Sequence, residues 1–161
     1  SNNAPIVRQI SWLGAVPQLL ALALAVFIAS RFSPQNGMIW GAAVYLAYSF
    51  GSRSIISKDH RAGIALVKDG SFTKAIPRFQ KSLTFFDKFP WIDKGRSIFL
   101  MSASAVSFRE MAILNIAFCY SQTGQGSLAK AKYEECLERF PESGTAIATL
   151  RMMDSVENNN E

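Results

Sequence analysis

Acidic residues are missing from the first third of this 161-residue chain, where none occurs before Asp59. Residues 9–30 carry no charge of either sign, and after Arg31 residues 32–52 carry none either. A water-facing surface cannot be built from such stretches, so the chain divides into two unlike pieces rather than forming one evenly solvated domain. Cysteine occurs only at positions 119 and 136, with no CxxC pair, and His60 is the only histidine. That scarcity excludes a zinc site and a disulfide framework, and both thiols are read as small buried hydrophobes. Strand-like alternation is absent, which points to an all-α chain.

The groupings that catalysis needs are also missing. No nucleophile lies with a base, and no glycine-rich loop follows a strand. Gly124-Gln125-Gly126 sits at a helix-to-helix turn, so it is not a dinucleotide fingerprint. Asp59 and His60 are adjacent, and adjacent residues on a helix point apart, so His60 is read as a polar side chain near a helix start. Asp93, Lys94 and Arg96 read as a solvated turn. The expectation is therefore a protein that is not an enzyme and needs no cofactor or metal.

What is present begins with two apolar runs. Ser11–Ser30 (SWLGAVPQLLALALAVFIAS) rises roughly 30 Å as a helix, enough to cross a bilayer's hydrocarbon core. A cleaved signal peptide competes with that reading, because Arg8 precedes the run and the small residues Ala29 and Ser30 end it. Gly37–Ile56 follows at once, less greasy but of spanning length, with Trp40, Tyr45 and Tyr48 among small residues. The two read as a transmembrane helical hairpin over residues 1–56, turning at Arg31–Asn36 with Pro34 as breaker. Gly37 and Gly41 are expected to face the first helix. Arg31 in the turn is outnumbered by Arg8, Arg53, Lys58 and Arg61 on the flanks, which places both termini in the cytoplasm.

Residues 57–161 switch to amphipathic helices separated by Gly- and Pro-bearing turns. Residues 53–109 hold 11 Lys/Arg against 4 Asp/Glu, whereas residues 110–161 hold 4 against 8. A basic half beside an apolar anchor suits anionic lipid headgroups. Nucleic acid is not an expected partner, since the basic residues are dispersed and no nucleic-acid motif accompanies them. One helix is expected near Lys58–Lys68, stopping at Asp69-Gly70, and the next starts at an N-cap, Ser71. Ser107-Phe108-Arg109-Glu110 is a capping box opening a helix that ends at Gly124; another stops before Pro141, and a capping helix runs from Gly144 to Val156. Aligning Gly70 with Gly124 pairs Gly63 with Ala117, Leu66 with Tyr120, Ala75 with Ala129, Phe79 with Tyr133 and Ser82 with Cys136. Every offset is 54 residues.

These residues resemble the tetratricopeptide repeat family, where small residues let paired helices approach and aromatics fill the space between units. Pro141 stands at the family's closing position in the second copy. The first copy has Pro90 three residues late, and Gly126 stands where the family has an aromatic. The 54-residue spacing exceeds the family's roughly 34 because an insert at about 91–109 separates the copies. That insert interleaves aromatics and bases, so it reads either as an interfacial or partner-docking element or as added core. The chain also looks like small bacterial membrane proteins that pair a hairpin with a TPR-like α-solenoid, which implies an inner-membrane location.

The resemblance implies a groove that binds a protein, as an extended peptide or a helix. It would be lined by His60, Ile64, Val67 and Lys68 from the first copy and by Met111, Leu114, Asn115, Phe118 and Gln122 from the second. A second copy of the chain is among the partners such an apolar groove would take. Only Asn115 corresponds to the family's carboxylate-clamp residues; His60, Ile64, Thr145 and Thr149 occupy the other positions. Two functions are thus expected: a membrane-anchored adaptor or scaffold, or an accessory or assembly subunit of a larger membrane complex.

Overall fold

The computed structural model describes residues 12–100, 102 and 104–158. Arg8, Ser11 and Met101 lie outside them. Among the described residues there are nine helices and no strand: α1 (Trp12–Phe32), α2 (Gly37–Ile56), α3 (Lys58–Lys68), α4 (Phe72–Lys88), α5 (Pro90–Lys94), α6 (Arg96–Phe99), α7 (Phe108–Gln122), α8 (Gly126–Arg139) and α9 (Gly144–Asn158). The chain divides into two compact units. One holds Asp59–Phe89 with the described residues from Val106 onward; the other holds the first two helices through Lys58 together with Pro90–Ala105.

In the second of these units, α1 and α2 are joined by a four-residue turn and lie against each other. Gly37 falls opposite Ser30 and Gly41 opposite Val26. A Cβ at either glycine would lie 2.4 Å from the facing Cα, so only a bare backbone fits. Numbers rise along α2 as they fall along α1, making the pair antiparallel. Large apolar side chains point outward from both helices, among them Leu19, Leu20, Leu24 and Phe27 on α1 and Met38, Ile39, Val44, Leu46 and Phe50 on α2. Among the described residues, only Ala15–Phe32 is by length and composition apolar enough to cross a membrane, and a signal sequence meets the same description. The difference from the two expected spans lies in α2, where Ser49, Gly51, Ser52, Arg53 and Ser54 dilute the apolar run.

The first unit is a stack of paired helices. α3 turns into α4 at Gly70 and α7 into α8 at Gly124, with φ of +72° and +74°. At both turns the residue after the glycine donates its N–H to the carbonyl four positions before the glycine, Ser71 to Leu66 at 2.8 Å and Gln125 to Tyr120 at 2.9 Å. This closure satisfies a carbonyl that the helix end would otherwise leave bare. α4 packs on α7, α7 on α8, and α8 on α9. α7 is therefore central, burying Ala112, Ile113, Leu114, Ile116, Ala117 and Cys119 around much of its circumference.

Two core clusters result. Val67, Ala75, Phe79, Ile116 and Cys119 form the first. The second gathers Leu83, Ala112, Ile113, Leu114, Ala117, Ala129, Tyr133, Cys136 and Ala146, and Tyr120 packs against both. Each fully buried Leu, Ile, Val or Phe among them contributes on the order of 1.5 to 3 kcal/mol. Of the five pairs at offset 54, four are buried in both copies, and Leu66 and Tyr120 are both partly buried.

Three local expectations need correction. Ser71 precedes α4 but its side chain makes no capping hydrogen bond, because its ψ of 56° departs from the extended geometry that aims an N-cap hydroxyl at the helix. Ser107, at ψ 155°, does accept from the Glu110 N–H at 3.1 Å. His60 does lie at the start of α3, but at 3% exposed it is core and cannot line a groove. Nor is Asp93 solvated, at 1% exposed.

Candidate partner-binding face

The nine residues named above as a groove separate by burial. His60, Val67 and Leu114 are core side chains, removed from any docking surface. His60 Nδ1 lies 3.5 Å from the Ser82 hydroxyl, and its ring meets Phe79 and Phe108 edge-on at 5.4 and 5.2 Å. Asp59, its neighbour, turns the other way and pairs with Arg78 at 3.0 Å, tying α3 to α4. Helix geometry thus sends the two adjacent polar residues to opposite environments.

Ile64, Met111, Asn115 and Phe118 are half-buried, while Lys68 and Gln122 are exposed. On α7, Met111, Asn115, Phe118 and Gln122 fall at i, i+4, i+7 and i+11 and so share one face. Asn115 Nδ2 donates to the Met111 carbonyl at 2.7 Å, which holds the amide along the helix and leaves its Oδ1 as an acceptor. Phe118 meets the Phe72 ring edge-on at 5.9 Å, so part of it is already covered by the start of α4. What remains on α7 is a mixed face of half-buried Met111, Asn115 and Phe118 with exposed Gln122 at its end, while half-buried Ile64 and exposed Lys68 lie on α3.

A concavity lies on α4, where sequence reasoning placed none. An open depression of about 590 Å³ is lined by Ile76, Pro77, Gln80, Lys81, Thr84, Phe85 and Lys88, with Asp59 from α3. None of the nine groove residues reaches it. Its sequence signal is the recurrence of Lys74, Lys81 and Lys88 every seven residues, which lays three exposed cations in a line along α4.

Among the described residues no three His, Cys, Asp or Glu side chains come together in a way that could hold a metal ion. The two thiols are buried, and desolvation pushes both up to about 11, which keeps them protonated and inert at neutral pH. Comparison with protein-family models, with curated proteins and with solved structures finds no match to this chain.

Proposed function

We propose that the chain is a membrane-anchored adaptor of the tetratricopeptide-repeat kind, which holds a protein partner at the bilayer and catalyses nothing. The observation that carries the repeat reading is the equivalence of the two helix pairs. Each turns at a left-handed glycine, and each buries a small residue on its first helix against Ala, an aromatic and a small residue on its second. Units of that kind cannot bury their faces alone, and they stack into a surface that serves recognition.

The anchor reading takes both α1 and α2 as spanning the inner membrane, with the repeats in the cytoplasm. Its support is the outward apolar surface of both helices, which water would penalise and lipid accepts. Arg53 near the end of α2 and Lys58 and Arg61 beyond it outnumber Arg31 in the last turn of α1. Within the repeats, the strip of Ile64, Lys68, Met111, Asn115 and Gln122 would take an apolar helix whose polar edge meets the amides.

A photo-reactive residue tests this directly in native membranes. Placed at Gln122, on the strip, it should join the chain to one discrete protein; placed at Glu134, exposed on α8, it should not. Equal adducts from both sites would reject the strip as the docking face. Adducts arising from Leu46 on α2, and none from Gln122, would instead establish the membrane-complex subunit.

A further inference from the structure

The segment Pro90–Ala105 is the part of the chain that a repeat protein does not require. It belongs to the same compact unit as α1 and α2, and α6 lies against α1. Its two short helices meet at Gly95, whose ψ of 23° departs from helical geometry. Gly95 N–H closes the first helix on the Trp91 carbonyl at 2.9 Å, and the Gly95 carbonyl opens the second by accepting from Phe99 N–H at 2.9 Å. Trp91 and Phe99 meet across this junction and form one face there.

That face is packed internally but not buried. A Cβ at Gly95 would come within 2.6 Å of the Phe99 ring, and Phe99 meets Trp91 edge-on at 5.0 Å. Trp91 is nevertheless 55% exposed and Ile98 53% exposed. The charges are sorted in the opposite sense. Arg96 turns its guanidinium onto backbone, donating to the Ser104, Asp93 and Ala105 carbonyls at 2.8, 3.2 and 2.7 Å. Asp93, the segment's sole acid, is buried. Its remaining charge is Lys94, which is exposed, and Lys88 is exposed just before Pro90.

An exposed Trp and Ile beside exposed Lys94, with no exposed carboxylate within Pro90–Ala105, matches the chemistry of the anionic headgroup layer. Indole rings and apolar side chains settle there while ammonium groups reach the phosphates. We propose that α5 and α6 form a seat in the headgroup layer of the membrane that α1 enters, with Trp91 and Ile98 dipping into the acyl boundary and Lys94 meeting anionic lipid. This inference rests on the membrane-anchored reading. The seat fixes the insert at the surface of the bilayer, which explains why the two repeat copies are interrupted at this point.

The test uses the full chain in vesicles of phosphatidylcholine and phosphatidylglycerol. Tryptophan occurs at positions 12, 40 and 91. A Trp12→Phe, Trp40→Phe variant leaves Trp91 as sole reporter, and a Trp12→Phe, Trp91→Phe variant leaves Trp40 on α2. If the seat exists, Trp91 loses most of its emission to lipids brominated on the upper acyl chain, about 5 to 10 Å into the headgroup–acyl boundary, and is shielded from aqueous iodide. Lys94→Glu then lowers the seated fraction, because removing one lysine alone shifts that equilibrium about fivefold. Trp91 quenched by iodide as freely in vesicles as in non-ionic detergent, while Trp40 still responds to bromolipid, overturns the seat and leaves the anchor standing. Shielding of Trp91 from iodide without bromolipid quenching also overturns it, since a protein surface then covers the ring. Failure of the chain to float with vesicles, or of Trp40 to respond, rejects the anchored reading itself.

Discussion

Gly63 shows how closely single atoms are set in the repeat unit. A Cβ there would lie 2.7 Å from the buried Phe79 ring, so the missing side chain on α3 makes room for the aromatic on α4. The thiols yield a measurable consequence of the same packing. Burial raises Cys119 and Cys136 from 9.0 to about 11; for Cys136 a hydrogen bond to Ser143 opposes the rise in part. Between those values the unfolded chain has released the thiol protons and the folded chain still holds them. The unfolded state then binds fewer protons, so stability, fully present below pH 9, falls as pH rises towards 11. The raised phenol of Tyr133 acts in the same direction at the upper end of that window. Denaturant titrations should show the loss, and it should shrink in a Cys119→Ala, Cys136→Ala variant. Equal pH slopes in the two proteins would show that the thiols do not contribute.

The two helix pairs turn at matching glycines. Gly124 sits at φ +74° with open space around the position of a Cβ, so Gly124→Ala meets no clash and costs only backbone strain, about 1 to 2 kcal/mol. Two residues on, Gly126 opens α8 in a conformation any residue adopts, also with open space beside it. Gly126→Ala should therefore stabilise by about 0.4 to 1 kcal/mol through the unfolded chain alone. Thermal melts of the two variants should move in opposite directions; a shared direction would contradict the turn geometry. The turns and the 54-residue offset were legible in the sequence because glycine, alanine and aromatics recur at fixed spacing. Burial of α7 on most sides was not, since it depends on α4 and α8 flanking it.

For the whole molecule, topology is the decisive quantity. Cys119 and Cys136 are buried and protonated at neutral pH, so a thiol introduced by Gln35→Cys, in the exposed turn between α1 and α2, is the reactive one. If α1 and α2 span the membrane as proposed, an impermeant maleimide should label it from outside in intact cells. Labelling only after lysis would invert that orientation. The ion pairs between elements contribute little to this arrangement. Lys130–Asp154 at 2.8 Å and Asp59–Arg78 at 3.0 Å are partly exposed pairs, each giving about 0 to 1 kcal/mol.

The sequence by itself determined the helical class, the helix boundaries outside the insert to within a few residues, and the apolar character of the first 56 positions. These follow from local periodicity, capping residues and glycine at helix ends, which act over one or two turns of chain. Tertiary structure alone decided which members of a helical stripe are core and which are surface. His60, Val67 and Leu114 share their spacing with Ile64, Lys68 and Gln122, yet the first three are enclosed by neighbouring elements and the others are not. The same holds for Pro90–Ala105, whose aromatics and bases suited core and surface equally well. Grouping with α1, and not with the repeats, left Trp91 and Ile98 facing outward while Asp93 and Arg96 were taken in. Burial is set by what lies across from a residue, and local sequence does not carry that information.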